Sequence, residues 1–204
     1  MQRLPCTRCG DSIHPDTAQQ NAGLCMPCVR GNQLSIEQRN AQRQQQREEE
    51  RAYRESPAYR YWTALVRRVY GTPDGFDALS HGDRLYYLIN IFQGEVHNGG
   101  FDQFFSNSSG DRYAQTVAAL TEVEDHASLR LLQAAKLALF ADHEVPTDQA
   151  ARFDLMPTAA EDHPTHEATW QTLEALDAQF YADNSSLDAA LDKLVTQYKL
   201  YAPA

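Results

Sequence analysis

The chain has 204 residues, 42% of them hydrophobic and 10% aromatic, with a formal net charge of −10. That is enough apolar material for one ordinary folded domain plus a smaller one. No apolar run approaches the roughly 18 residues that a membrane span requires, the first residues show no apolar segment of secretory type, and the cytoplasm is the expected address.

The charge is divided unevenly. Residues 1–70 hold 11 Lys+Arg against 7 Asp+Glu, net +4, whereas residues 71–204 hold 7 against 21, net −14. A field that negative repels nucleic acid and membrane surfaces and attracts basic protein surfaces.

In chain order, the four cysteines come first, as Cys6-x2-Cys9 and Cys25-x2-Cys28 with fifteen residues between the pairs. Each tight CxxC turn aims two thiolates at one point, and two such knuckles close a tetrahedral four-thiolate zinc site. Gly10 and Gly31 follow the knuckles, where backbone must turn beneath the sulfurs. A disulfide or thiol-redox pair is the rival reading, and the lack of a βαβ pattern around the motif argues against it. Four protein ligands leave no open position for substrate, so the zinc-ribbon-like module of residues 1–31 is expected to use a structural zinc to fold. His14 reads as an ordinary loop histidine beside them.

Residues 32–56 form an Arg/Gln/Glu-rich linker with almost no apolar side chains, a solvated helix or a disordered segment. Arg39, Arg43, Arg47 and Arg51 stand at strict i, i+4 spacing, which aligns four guanidinium groups on one helical face. Two readings stand: a phosphate- or carboxylate-binding stripe, and a solvated face partly neutralised by Glu48, Glu49 and Glu50.

From Ser56 a helical period appears, and residues 57–204 read as an acidic all-α domain of several helices. Pro57 fits a first helical position, and Trp62, Leu65, Val66 and Val69 give an apolar stripe. A second stripe, Leu85, Leu88, Ile89, Phe92 and Val96, follows Ser80 with Asp83 three residues on, a capping-box pattern with Asp in place of Glu or Gln. It stops at Asn98-Gly99-Gly100, where glycine supplies the freedom a helix end requires. Phe101, Phe104 and Phe105 then stand at helical spacing for the core. Further helices are predicted at about 111–123, 127–141, 147–155, 165–182 and 186–201. No period-two strand pattern is present.

The corner HNGGFDQFF has two chemical readings. Glu95, His97 and Asp102 are a metal-ligand or acid/base set on one; on the other, Asn98, Asp102 and Asn107 are turn and cap residues of a structural corner. An i, i+2 pair on a helix faces two ways and no HExxH-type spacing is present, which favours the corner. No phosphate-binding loop, dinucleotide fingerprint or nucleophile elbow occurs anywhere. The chain is expected not to be an enzyme.

The run Asn98-Gly99-Gly100-Phe101-Asp102-Gln103-Phe104-Phe105, between LYYLINIFQGEV and YAQTVAALTEV, resembles the DNA-mimic protein family, small acidic bacterial proteins whose helical domain has also been catalogued as a domain of unknown function. The resemblance covers roughly residues 57–200. It implies an all-helical, often dimeric domain and, in the member that names the family, a carboxylate surface that occupies the DNA-binding face of a transcription factor. The zinc module and the arginine-rich linker depart from the simplest family layout. A helix with carboxylates at i, i+3 or i, i+4 spaces them about 5–6 Å apart, comparable with successive phosphates. Asp188 and Asp192, and Glu174 and Asp177, have that spacing, and Asp142, Glu144, Asp148, Asp154, Glu161, Asp162 and Glu167 add charge before them.

The leading expectation is therefore a non-enzymatic regulator whose acids bind a basic partner such as a DNA-binding transcription factor. The first alternative is a zinc-ribbon nucleic-acid binder, acting only through the N-terminal module, with the acidic domain as its mask; the second is a helical metalloenzyme. An acidic, soluble surface without any partner also fits the composition.

Overall fold

The computed structural model describes residues 3–31, 34, 36–72, 74–157, 164–182 and 185–201. The chain divides into two compact units, Met1–Ser56 and Pro57–Ala204. No helix among the described residues is long and apolar enough to cross a membrane.

In the first unit, β1 (Leu4–Pro5) and β2 (Ser12–Ile13) pair antiparallel, Leu4 opposite Ile13 and Pro5 opposite Ser12. The first cysteine pair lies in the turn between them. There the Cys6 N–H donates to Asp11 O at 2.8 Å, and Gly10 adopts φ 77°, a conformation that favours glycine. α1 (Pro15–Gln20) is capped by His14, whose Nδ1 accepts from the Asp16 N–H, and α2 (Met26–Val29) begins after Cys25. The core of this unit is Cys6, Ile13, Ala18, Cys25 and Cys28, with Cys9 and Leu24 against it. Cysteines supply most of that small interior, so apolar burial alone holds little together. α3 (Ile36–Glu55) is a twenty-residue helix whose side chains from Asn40 to Glu55 are exposed to solvent. The two strands were not visible in sequence because two residues are too short to show a period.

The second unit is all-helical among its described residues: α4 (Pro57–Gly71), α5 (His81–Ser106), α6 (Tyr113–Glu122), α7 (His126–Phe140), α8 (Gln149–Leu155), α9 (Pro164–Ala182) and α10 (Ser185–Tyr198), with a 3-10 turn over Ser108–Arg112. Ser80 caps α5, accepting from the Asp83 N–H at 3.2 Å. The Asp83 carboxylate accepts in addition from Tyr61 Oη and, at 3.1 Å, from Arg68 Nη1, both of α4. α5 is the central element and touches α4, α6, α8, α9 and α10. It is buried on nearly all sides because both of its arms are apolar: Ile89, Phe92, Val96, Phe101, Phe104 and Phe105 have no exposed surface. Fully burying each phenylalanine stabilises the fold by about 1.5–3 kcal/mol.

Candidate functional site

The four cysteine Sγ atoms lie within 4.8 Å of one another, with Cys9 and Cys25 3.6 Å apart. All four are free thiols, so the disulfide reading fails in the described structure. A metal held by sulfurs at about 2.3 Å in a tetrahedron sets its ligands about 3.8 Å apart, and this cluster fits a metal ion with little adjustment. The Cys25 N–H donates to Cys6 Sγ at 3.2 Å, as a charge-bearing sulfur requires. Burial opposes ionisation of Cys6, but backbone N–H groups of Cys9, Cys25 and Arg8 bring its thiol down to about 6, and burial with crowding by the other sulfurs pushes Cys28 up. Among the described residues this is the one cluster of three or more metal-capable side chains. His14 is not in it.

The arginine row resolves unevenly. Arg39 is tied to Asp11 beside the first knuckle, whereas Arg43, Arg47 and Arg51 are exposed. Of the neighbouring glutamates, Glu48 and Glu49 accept from the neutral amides of Gln44 and Gln45 and keep their charge beside the row, and Glu50 pairs with Arg54 at 2.6 Å. Each glutamate finds its partner four residues away along its own row, on other sides of the helix.

At the glycine corner, α5 breaks at Gly99 (φ −163°, ψ 26°) and Gly100 (φ 74°, ψ −175°). A Cβ on Gly100 would stand 2.2 Å from Asp177 Oδ2. That carboxylate, brought in by α9, accepts from the Phe101 N–H at 2.8 Å and so caps the second arm of α5 from 76 residues away. Glu95 joins the arms, its Oε2 accepting from Gln103 Nε2 at 2.6 Å and Asn107 Nδ2 at 2.8 Å. Tyr181 Oη donates to Val96 O at 2.7 Å, and His97 lies against the rings of Phe180 and Tyr181. Asp102, contacted by Ser106 Oγ, is raised by burial and by the nearby Asp177. Glu95, His97 and Asp102 therefore form no shared site. Each contacts other residues of the corner, and among the described residues the three are not gathered as a metal-capable cluster.

The sequence reading missed Arg152. It is the one cation between Lys136 and Lys193, and it is completely buried. Nε donates to Phe105 O (2.8 Å), Nη1 to Pro146 O (2.9 Å) and Thr147 O (3.1 Å), and Nη2 to Asn107 O (2.8 Å) and Asp111 Oδ1 (2.6 Å). All five guanidinium N–H groups are thereby used. Its isolation among acids was the only sequence signal. A cleft of about 280 Å³ between α4, α5, the 3-10 turn and α6 is lined by Tyr70, Tyr87, Ile91, Glu95, Asp111 and Arg112. Its charged lining is spent internally: Asp111 on Arg152, Glu95 on the corner amides, Arg112 over the Phe76 ring.

The acids proposed for a partner surface divide by position. Asp142, Glu144, Asp148, Asp154, Glu167, Glu174, Asp188 and Asp192 are exposed; Glu161 and Asp162 lie outside the described residues. Asp148 also caps α8 through the Ala151 N–H, and Asp188 accepts from Gln93 Nε2 at 2.9 Å. Asp177 is half-buried and committed to Phe101, so its place in an i, i+3 pair with Glu174 is a matter of spacing and not of shared solvent exposure.

Comparison with curated proteins returns no match, nor does comparison with solved structures. A family model described as DMP19-like protein matches residues 77–200. The match takes in the glycine corner and α5 to α10 but begins after α4, a shorter reach than the motif resemblance implied. It spans more than half of the chain, and the protein belongs to the DMP19-like family.

Proposed function

We propose that the protein is a non-enzymatic regulator whose second unit presents carboxylates in place of DNA phosphates to a basic, DNA-binding protein. The observation that carries this reading is the charge balance of the surface from Ala138 onward. That segment holds 12 Asp+Glu against 3 Lys+Arg. One of the three cations, Arg152, is withdrawn into the interior and neutralised by Asp111, leaving Lys193 and Lys199 as the exposed ones. Burying the lone arginine strengthens the surface field as well as the fold.

Duplex DNA carries about one charge per 1.7 Å of axis, and its partners gain affinity by neutralising phosphates. The exposed pair Asp188 and Asp192 repeats at about 6 Å along α10, with Glu167 and Glu174 in line on α9. The family membership supports the same reading, and the engagement of Glu95, Gln103, Asn107 and Asp177 in holding the corner supports a binding role over catalysis. The four-thiolate cluster takes zinc, whose preference for closed sulfur sites suits a structural ion. Four reduced, closely spaced thiols suit the cytoplasm.

The test is a pull-down from native cell extract with the full chain as bait, followed by a salt titration. Release of the captured protein as salt rises from 0.1 to 0.5 M supports charge complementarity; capture unchanged at 1 M refutes it.

A further inference from the structure

We propose that α3 is a nucleic-acid-binding helix, with Arg43, Arg47 and Arg51 on successive phosphates of a duplex. A step of four residues advances about 6 Å along a helix and 40° around it, so the three guanidinium groups cover about 12 Å of length and about 80° of circumference. The row is anchored at its start, because Arg39 pairs with Asp11 next to the cysteine cluster. It is also left free. Among the described residues Arg43, Arg47 and Arg51 have no hydrogen-bond or ion-pair partner; of the glutamates that follow, Glu50 is paired with Arg54, while Glu48 and Glu49, held by the neutral amides of Gln44 and Gln45, lower the net charge of the helix without contacting the row.

The identity of the occupant follows from what the helix lacks. A protein interface needs an apolar or aromatic centre from which water is expelled. Between Arg39 and Arg51 the single apolar residue is Ala41; the rest are Asn, Gln, Arg and Glu. A polyanion backbone needs only hydrogen-bond donors and positive charge, and arginine with flanking amides is the usual equipment for phosphate contacts. A second copy of the chain offers carboxylates but gains no apolar burial on such a helix. Phosphate contacts carry no base information, so the binding is independent of sequence. This inference stands whether or not the acidic unit is a decoy.

The experiment uses the full chain and a fluorescein-labelled 20-base-pair duplex of arbitrary sequence, read by anisotropy from 50 to 200 mM KCl. Three neutralised phosphates give a log–log salt slope of about −2.7, which is an affinity loss of about 40-fold over that range. Arg47→Gln should lower the slope by about 0.9, and the triple variant R43Q/R47Q/R51Q should lose the salt-dependent binding. Glutamine and arginine have similar helix propensities, and the graded response of the single variant is not one that unfolding imitates. Arg130→Gln, on α7, should leave affinity and slope unchanged. Absence of duplex binding at 50 mM, or a triple variant with unchanged slope, overturns the proposal. So does a low-salt dimer, seen by sedimentation, that the triple variant loses while duplex affinity stays the same.

Discussion

Replacing Arg152 with methionine removes five hydrogen bonds at once from a site with no solvent access. Methionine fills comparable volume, so the loss is one of polar pairing and not of packing. Four backbone carbonyls and one carboxylate are left without their donor. Breaking a buried charge pair by removing one partner costs about 3–5 kcal/mol, and the stranded carbonyls place Arg152→Met at the upper end of that range. Asp111→Asn is the counterpart. The Asp111 side chain keeps 42% exposure, so water takes over much of its role and the four carbonyls still receive Arg152; about 1 kcal/mol or less is expected. Both tryptophans, Trp62 and Trp170, belong to the second unit, so their fluorescence in urea reports that unit's unfolding. With an m-value of about 2 kcal/mol/M, Arg152→Met should lower the midpoint by about 2 M and Asp111→Asn by about 0.5 M or less. Equal shifts for the two variants, or a shift below 0.5 M for Arg152→Met taken as about 1 kcal/mol, would refute the description of Arg152 as the buried donor that ties α8 to the carbonyls of Phe105 and Asn107.

Other outcomes follow from neighbouring sites. Gly100→Ala forces a side chain into a left-handed backbone and onto Asp177, and should cost about 3 kcal/mol, whereas Gly94→Ala, whose Cβ meets nothing within 4 Å, should add about 0.5–1 kcal/mol; urea midpoints compare them. Burial works against Asp83, yet hydrogen bonds from Tyr61, Ser80 and Arg68 hold its carboxyl below the ordinary range. Its stabilisation is then full above the unfolded value of about 3.9 and is lost as pH falls through the lower folded value. Urea midpoints from pH 6 to 2.5 should therefore fall less steeply for Asp83→Asn than for the parent. Metal analysis should find one zinc per chain and none in Cys28→Ser, with loss of far-UV helical signal on chelation; two ions per chain would reopen a second metal site.

Much of the second unit is legible in the sequence because its helices are amphipathic and locally capped. The run from Leu187 to Tyr198 predicts α10 within a few residues, and Phe101, Phe104 and Phe105 are placed in the core by spacing alone. The cysteine cluster is equally local, since each CxxC turn fixes half of it. What escapes is held by distant partners. Asp177 is indistinguishable in sequence from Glu174, and only the approach of α9 to Gly100 commits it to Phe101. Arg152 looks like a surface residue of α8 until the carbonyls from Phe105 to Thr147 are seen to converge on it. The glutamates after Arg47 look like direct partners of the arginine row, but their hydrogen bonds go to Gln44, Gln45 and Arg54, a choice of rotamer that spacing alone does not fix.

The central claim is that carboxylates on the second unit occupy a site made for DNA. It is tested most directly by capturing the partner on the full chain from a nuclease-treated extract, washing the nuclease away, and challenging the complex with duplex DNA. Parent chain should release its partner to the duplex, and a variant neutralised at Glu167, Glu174, Asp188 and Asp192 should capture at least tenfold less. A partner that stays bound while it also holds the duplex, or one captured equally by the neutralised variant, would contradict the account.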